Sequence, residues 1–130
     1  MAVETPDPDL WKKRPYAPEV GAVLGRMEEI PDGRAKEYTF GVGIAAFRMF
    51  VVRRGDEAYG YVNQCPHYSL PLNHRPDQFL TRDGSKIMCV QHLALFRIED
   101  GACLDGACEG RALDPVPLAV RDGQIMIAEV

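Results

Sequence analysis

Apolar and polar positions in this chain fall into short runs separated by turn residues. Phe47 to Arg53 (FRMFVVR) is rich in aromatic and β-branched side chains, which suit a pleated, packed surface. Arg54-Gly55-Asp56 follows, and then Ala58 to Asn63 (AYGYVN), so the two runs predict a β-hairpin. Further apolar runs lie at Lys86 to Val90, Leu95 to Ile98, Leu118 to Val120 and Gln124 to Val130. Asp-Gly pairs recur at Asp32-Gly33, Asp83-Gly84, Asp100-Gly101, Asp105-Gly106 and Asp122-Gly123. Glycine reaches the positive φ that tight hairpin turns need, so this punctuation favours antiparallel sheets. No helical period persists over about ten residues. The predicted fold is all-β, a small antiparallel sandwich or barrel.

Composition adds boundaries to that picture. Pro6, Pro8, Pro15, Pro18 and Pro31 are half of the ten prolines, and proline holds a chain extended. Residues 1–23 are therefore expected to form a proline-rich arm, followed by one domain over 24–130. Trp11 and Tyr16 are the aromatics able to pin the arm, and packing on the chain's own domain is expected of them. Lys and Arg total 15 against 19 Asp and Glu, a formal charge of −4. Without a basic stripe, nucleic acid is excluded as a partner. The longest apolar run, Phe40 to Phe47, contains two glycines and stops at Arg48, well short of the roughly 18 residues of a membrane span. The N-terminal stretch places acids and prolines where a secretory signal needs basic and then apolar residues. A cytoplasmic location is expected, where four cysteines serve as ligands or thiols rather than structural disulfides.

Two short motifs carry the candidate chemistry. Cys65-Pro66-His67 and Cys89-Val90-Gln91-His92 are separated by 21 residues, and each follows a predicted strand. Two loops at those places bring together four ligands of the kind that select zinc, copper or iron–sulfur clusters. Structural zinc sites commonly draw like pairs from each knuckle. Here each half supplies one cysteine and one histidine, which suits a binuclear centre. A mononuclear zinc site and a chance scatter of thiols and imidazoles are the competing readings.

With these residues in view, the sequence resembles the Rieske [2Fe–2S] proteins. YVNQCPHYSLPL from Tyr61 is similar to their first cluster loop, and KIMCVQHLALF to their second. RIEDGACLDGACEGRALDPVPLAV is similar to the segment that closes over the cluster. The resemblance runs from about Leu24 to Val130. It implies a Rieske-like antiparallel fold with two cluster-binding loops and one [2Fe–2S] cluster per chain. It also implies Cys65 and Cys89 as thiolate ligands of the inner iron, with His67 and His92 as imidazole ligands of the outer iron. Two ferric ions, two sulfides and two thiolates sum to zero charge, so an added electron meets a less negative centre than in a plant-type ferredoxin. Imidazoles that change protonation on reduction would couple the electron to a proton.

Several positions depart from the family pattern. Many members have glycine after the second histidine where this chain has Leu93, and a leucine there is strained if the backbone needs positive φ. Gly106-Ala107-Cys108 stands where a Gly-Pro is common. Cys108 is expected near the cluster, whereas Cys103 reads as a structural thiol, with a redox-dependent disulfide between the two as the alternative. Respiratory-chain members carry an extra cysteine after each ligand pair, absent here around Leu70 and Leu95. They also place serine and tyrosine where this chain has Ala94 and Phe96. Without those hydroxyl donors to the cluster sulfurs, the potential should fall toward the low end of the class, about −150 mV. His74 reads as a loop histidine.

The resemblance implies a one-electron carrier, a Rieske-type ferredoxin. It would pass electrons from a flavoprotein reductase to a terminal oxygenase or similar acceptor through transient encounters. No second iron site with two histidines and a carboxylate is available, so the chain is not expected to be an oxygenase or an enzyme in its own right. The apolar rim for contact is expected at Tyr68, Leu70, Pro71 and Leu93. The alternatives are a cluster-bearing subunit or sensor in a larger oxidoreductase complex, and a zinc-binding interaction module.

Overall fold

A computed structural model describes residues 10–66, 71–73, 75–90, 93–106 and 111–129. Its strands are β1 Val23–Arg26, β2 Ala35–Phe40, β3 Phe47–Arg54, β4 Glu57–Val62, β5 Ile87–Cys89, β6 Ala94–Phe96, β7 Cys103–Asp105, β8 Pro115–Val116, β9 Leu118–Arg121 and β10 Gln124–Ile127. They pair as three antiparallel sheets, ordered β1-β10-β9, β2-β3-β4-β8 and β5-β6-β7. Among the described residues the helical elements are two 3-10 turns, Leu10–Lys13 and Met27–Glu29. No helix among them is long and apolar enough to cross a membrane.

The expected hairpin is β3–β4, in register from Met49↔Val62 to Arg54↔Glu57. The β9–β10 hairpin closes just as tightly, with Arg121 opposite Gln124. Its two turn residues, Asp122 at φ 52° and Gly123 at φ 77°, are both left-handed. Successive left-handed residues match the twist of antiparallel strands, and Asp-Gly adopts them with little strain.

Strand β3 organises the interior. Side chains alternate across a strand, and both sets on β3 are covered. Phe50 and Val52 join a buried cluster with Phe79, Ile87 and Phe96. Phe47, Met49 and Val51 join a second one with Trp11, Met27, Ile125 and Ile127. The central sheet is thus packed by β5 and β6 on one face and by β10 on the other. A strand buried on both faces reads as a near-continuous apolar run, which is the pattern of Phe47 to Arg53. The Phe50 and Phe79 rings stack with centroids 4.2 Å apart.

Two features of the sequence play parts that the pattern did not suggest. Strand β2 carries Lys36, Glu37 and Thr39 and pairs only with β3, so this edge strand shows no apolar alternation. The apolar stretch between Phe40 and Phe47, in contrast, lies at the surface. Strand pairing ends at Phe40↔Phe47, and the intervening turn leaves Val42 exposed and Ile44 wholly so. Trp11 packs on the domain as expected, 1% exposed and edge-on to Phe47 at 6.4 Å. Tyr16 remains half exposed, its ring lying over Gly41.

Candidate metal centre

Cys65 and Cys89 are brought to one place by two different strands. Strand β4 ends at Val62, and Cys65 follows three residues later. Cys89 is the last residue of β5 and pairs with Ala94, the first residue of β6, so the second loop is the tip of a hairpin. Both thiols are buried, 2% and 0% exposed, within the same cluster as Leu72, Ala94, Phe96 and Leu113. His67 and His92 lie outside the described residues, as do Tyr68, Leu70, His74 and Cys108.

Backbone and side-chain hydrogen bonds fasten the segments around the two cysteines to each other. The Val90 N–H, one residue after Cys89, donates to the Leu72 carbonyl at 2.8 Å. The Leu72 N–H donates to Oδ1 of Asn63 at 2.8 Å, two residues before Cys65. Arg111 Nη1 donates to the Pro66 carbonyl at 3.1 Å, tying the closing segment to the first loop. The Tyr61 hydroxyl donates to the Ile98 carbonyl at 2.5 Å, so β4 is also held to the chain leaving β6. Burial is the main cause that pushes the Tyr61 phenol well above its ordinary range, with Asp100 and Glu99 adding to it.

Leu93 has φ 57° and is 65% exposed. The position does require the left-handed backbone, and a leucine occupies it. Ala94 and Phe96, which carry no hydroxyl, are buried on β6, Ala94 opposite Cys89 and Phe96 opposite Ile87. On the closing segment, Gly106 has φ 106°, and a Cβ built there would sit 2.9 Å from the Ala94 Cα. Glycine lets that segment lie directly on the start of β6. Cys103 is buried in the same cluster as Cys65 and Cys89, and its Sγ lies 3.4 Å from the Asp105 carbonyl. Asn63 lies outside both Cys–His motifs. A buried polar side chain one residue past β4, two positions before a candidate ligand, is the signal it left.

Two buried thiols in one apolar cluster are of the donor type that the cysteine side of an iron–sulfur cluster uses. The model for the Rieske [2Fe–2S] domain family matches residues 22–120. None of the curated proteins matches the chain. Among solved structures, the ferredoxin of carbazole 1,9a-dioxygenase from Nocardioides aromaticivorans IC177 aligns with a TM-score of 0.65 at 20% identity, over 86% of this chain and 100% of that one. A chain from the complex of reduced oxygenase and oxidized ferredoxin in carbazole 1,9a-dioxygenase gives 0.66 at 20% identity, over 85% of this chain and 94% of that one. Another, from the reduced complex between oxygenase and ferredoxin, gives 0.66 at 22% identity, over 82% of this chain but 27% of that one. These likenesses establish the shared fold. With the family match spanning most of its length, the chain belongs to the Rieske [2Fe–2S] domain family, whose cofactor is one [2Fe–2S] cluster per chain.

Proposed function

We propose that this protein is a one-electron carrier of the Rieske ferredoxin type. The observation that carries the reading is the burial of Cys65 and Cys89 in one cluster, on loops joined by the Val90–Leu72 hydrogen bond. Cys65 and Cys89 would hold the inner iron, and His67 and His92 the outer one. When bound, such a cluster supplies a single reversible electron at a potential above that of four-cysteine ferredoxins. Burial of Cys65 and Cys89 would keep water from the thiolate side of the cluster. Residues 24–130 form the cluster domain and residues 1–23 its arm. In this reading the protein serves an oxidoreductase system as its electron carrier.

Partners are expected to be a flavoprotein reductase and a terminal oxygenase or similar acceptor, met transiently in the cytoplasm. The structural neighbours named for oxygenase–ferredoxin complexes support that pairing. Pro71 and the exposed Leu93 supply apolar contact area on the described side of the loops.

The test is the composition and potential of purified protein. Two irons and two acid-labile sulfides per chain are expected, with a low average g-value on reduction. Cys65→Ser and Cys89→Ser should each abolish the cluster, and retention of full iron by either would remove that residue from the ligand set. With Ala94 and Phe96 in place, the potential should lie near the low end of the class, about −150 mV. The double variant Ala94→Ser, Phe96→Tyr should raise it. A wild-type value above roughly +100 mV would defeat the ferredoxin reading.

A further inference from the structure

Asn63 is the one polar or charged side chain among the described residues that falls in the buried set, at 5% exposure. Each polar atom of its amide is engaged. Oδ1 accepts the Leu72 N–H at 2.8 Å, while Nδ2 donates to Glu37 Oε2 at 2.7 Å and to Asn73 Oδ1 at 3.0 Å. Glu37 is itself held, its Oε2 accepting from Arg48 Nε at 3.1 Å and Nη2 at 3.0 Å. The Asn63 N–H donates to the Arg48 carbonyl at 2.8 Å. The amide is thus fixed to the edge strand β2 through Glu37 and to the central strand β3 through Arg48.

The same residue that Asn63 grips by its N–H also reaches the second loop, because the Leu72 carbonyl accepts from Val90 N–H at 2.8 Å. The Leu72 backbone therefore sits between a side chain two residues before Cys65 and an N–H one residue after Cys89. Hydrogen bonds of this kind in a low-dielectric interior are stiff, since an unmade partner there is heavily penalised.

We propose that Asn63 is the positioning residue that sets the spacing of the two cysteine-bearing loops, through Leu72, and so governs cluster retention and potential. This rests on Cys65 and Cys89 as ligands. A purely structural role would affect melting alone. A positioning role also affects properties of the cluster, because groups that orient metal ligands tune both affinity and potential.

The experiment uses full-length reconstituted protein and three variants. Asn63→Leu keeps similar bulk and removes every hydrogen bond of the amide. Asn63→Asp keeps the acceptor for Leu72 but sets a second carboxylate against Glu37. Asn63→Asp combined with Glu37→Gln exchanges the amide and the carboxylate across the pair and restores a donor between them. Readouts are the rate of iron loss to a chelator, the midpoint potential and the g-values of the reduced cluster. Asn63→Leu should release iron at least tenfold faster and shift both potential and g-values. Asn63→Asp should do so less, and the exchanged pair should return toward wild type. If Asn63→Leu does not fold, Asn63→Asp and its exchanged partner decide by the same ordering. Wild-type release, potential and g-values in a folded Asn63→Leu, whatever its melting temperature, would overturn the proposal, as would the absence of any recovery in the exchanged pair. Cys65→Ser run alongside separates the two readings, since full iron there removes the ligand assignment whatever Asn63 does.

Discussion

Tyr38 and Tyr61 show how one buried hydroxyl can go without a hydrogen bond while another is spent on one. The Tyr61 hydroxyl is spent on the Ile98 carbonyl, whereas that of Tyr38 is buried with no hydrogen-bond partner among the described residues. Tyr61→Phe should therefore cost about 1–2 kcal/mol in denaturant unfolding, and Tyr38→Phe should be neutral or slightly stabilising. Burial, with Glu29 and Asp77 nearby, pushes the Tyr38 phenol up to about 12. Both phenols bind their proton more tightly folded than unfolded, so this stability is complete below about pH 10, the unfolded phenol value. It is lost as pH climbs from there through about 12. Melting temperatures between pH 8 and 11.5 should fall at the alkaline end, and less steeply in Tyr38→Phe; an unchanged slope would refute the Tyr38 contribution. Leu93 is the opposite case, a bulky side chain in a left-handed backbone. Leu93→Gly relieves strain of order 1 kcal/mol, offset in part by the greater freedom of unfolded glycine. A small net gain in denaturation midpoint is expected, and a loss would mean that Leu93 packs in a way its exposure does not suggest.

At the scale of elements, the closing segment is held by close approach rather than by a long strand. Strand β7 has three residues and pairs irregularly with β6, and Gly106, just after it, lies against Ala94 at the start of β6. Gly106→Ala adds a methyl where the backbone has φ 106° and where Ala94 Cα stands 2.9 Å away. The variant should lose about 1–3 kcal/mol of stability, and visible absorbance should bleach faster under a chelator as the segment lifts. Bleaching at the wild-type rate would place the segment away from the cluster. The hairpins around the site were legible in the sequence because their signal is local: an apolar run, a turn residue, another run. Strands β2 and β8 were not. One is a polar edge and the other has two residues, and both exist because a neighbouring strand offers them hydrogen bonds.

For the whole molecule, the start of the described chain shares one interior with the rest at Trp11. Its side chain lies in the same buried cluster as Phe47, Ile125 and Ile127, which come from the middle and the end of the chain. Trp11→Ala should therefore destabilise the entire fold by about 3–5 kcal/mol, measured by circular dichroism because this is the only tryptophan. A shift under about 1 kcal/mol would show the arm to be an appendage rather than part of the core.

The sequence by itself determined the antiparallel class, the main hairpins and the two Cys–His motifs, because each depends on neighbours within a few residues. Two short Cys–His motifs, each following a strand, are enough to suggest the family. Tertiary structure decided everything that depends on which distant residues meet. It put Trp11 inside and Ile44 outside, although hydropathy ranks the second as the better core residue, since burial depends on what covers a side chain. It placed Leu93 in the left-handed region and laid Gly106 on Ala94. It also joined Asn63, Leu72 and Val90, three unremarkable positions in sequence, into the link between the cysteine loops. Hydrogen bonds between segments leave no periodic trace, so that link becomes visible only once the chain is folded.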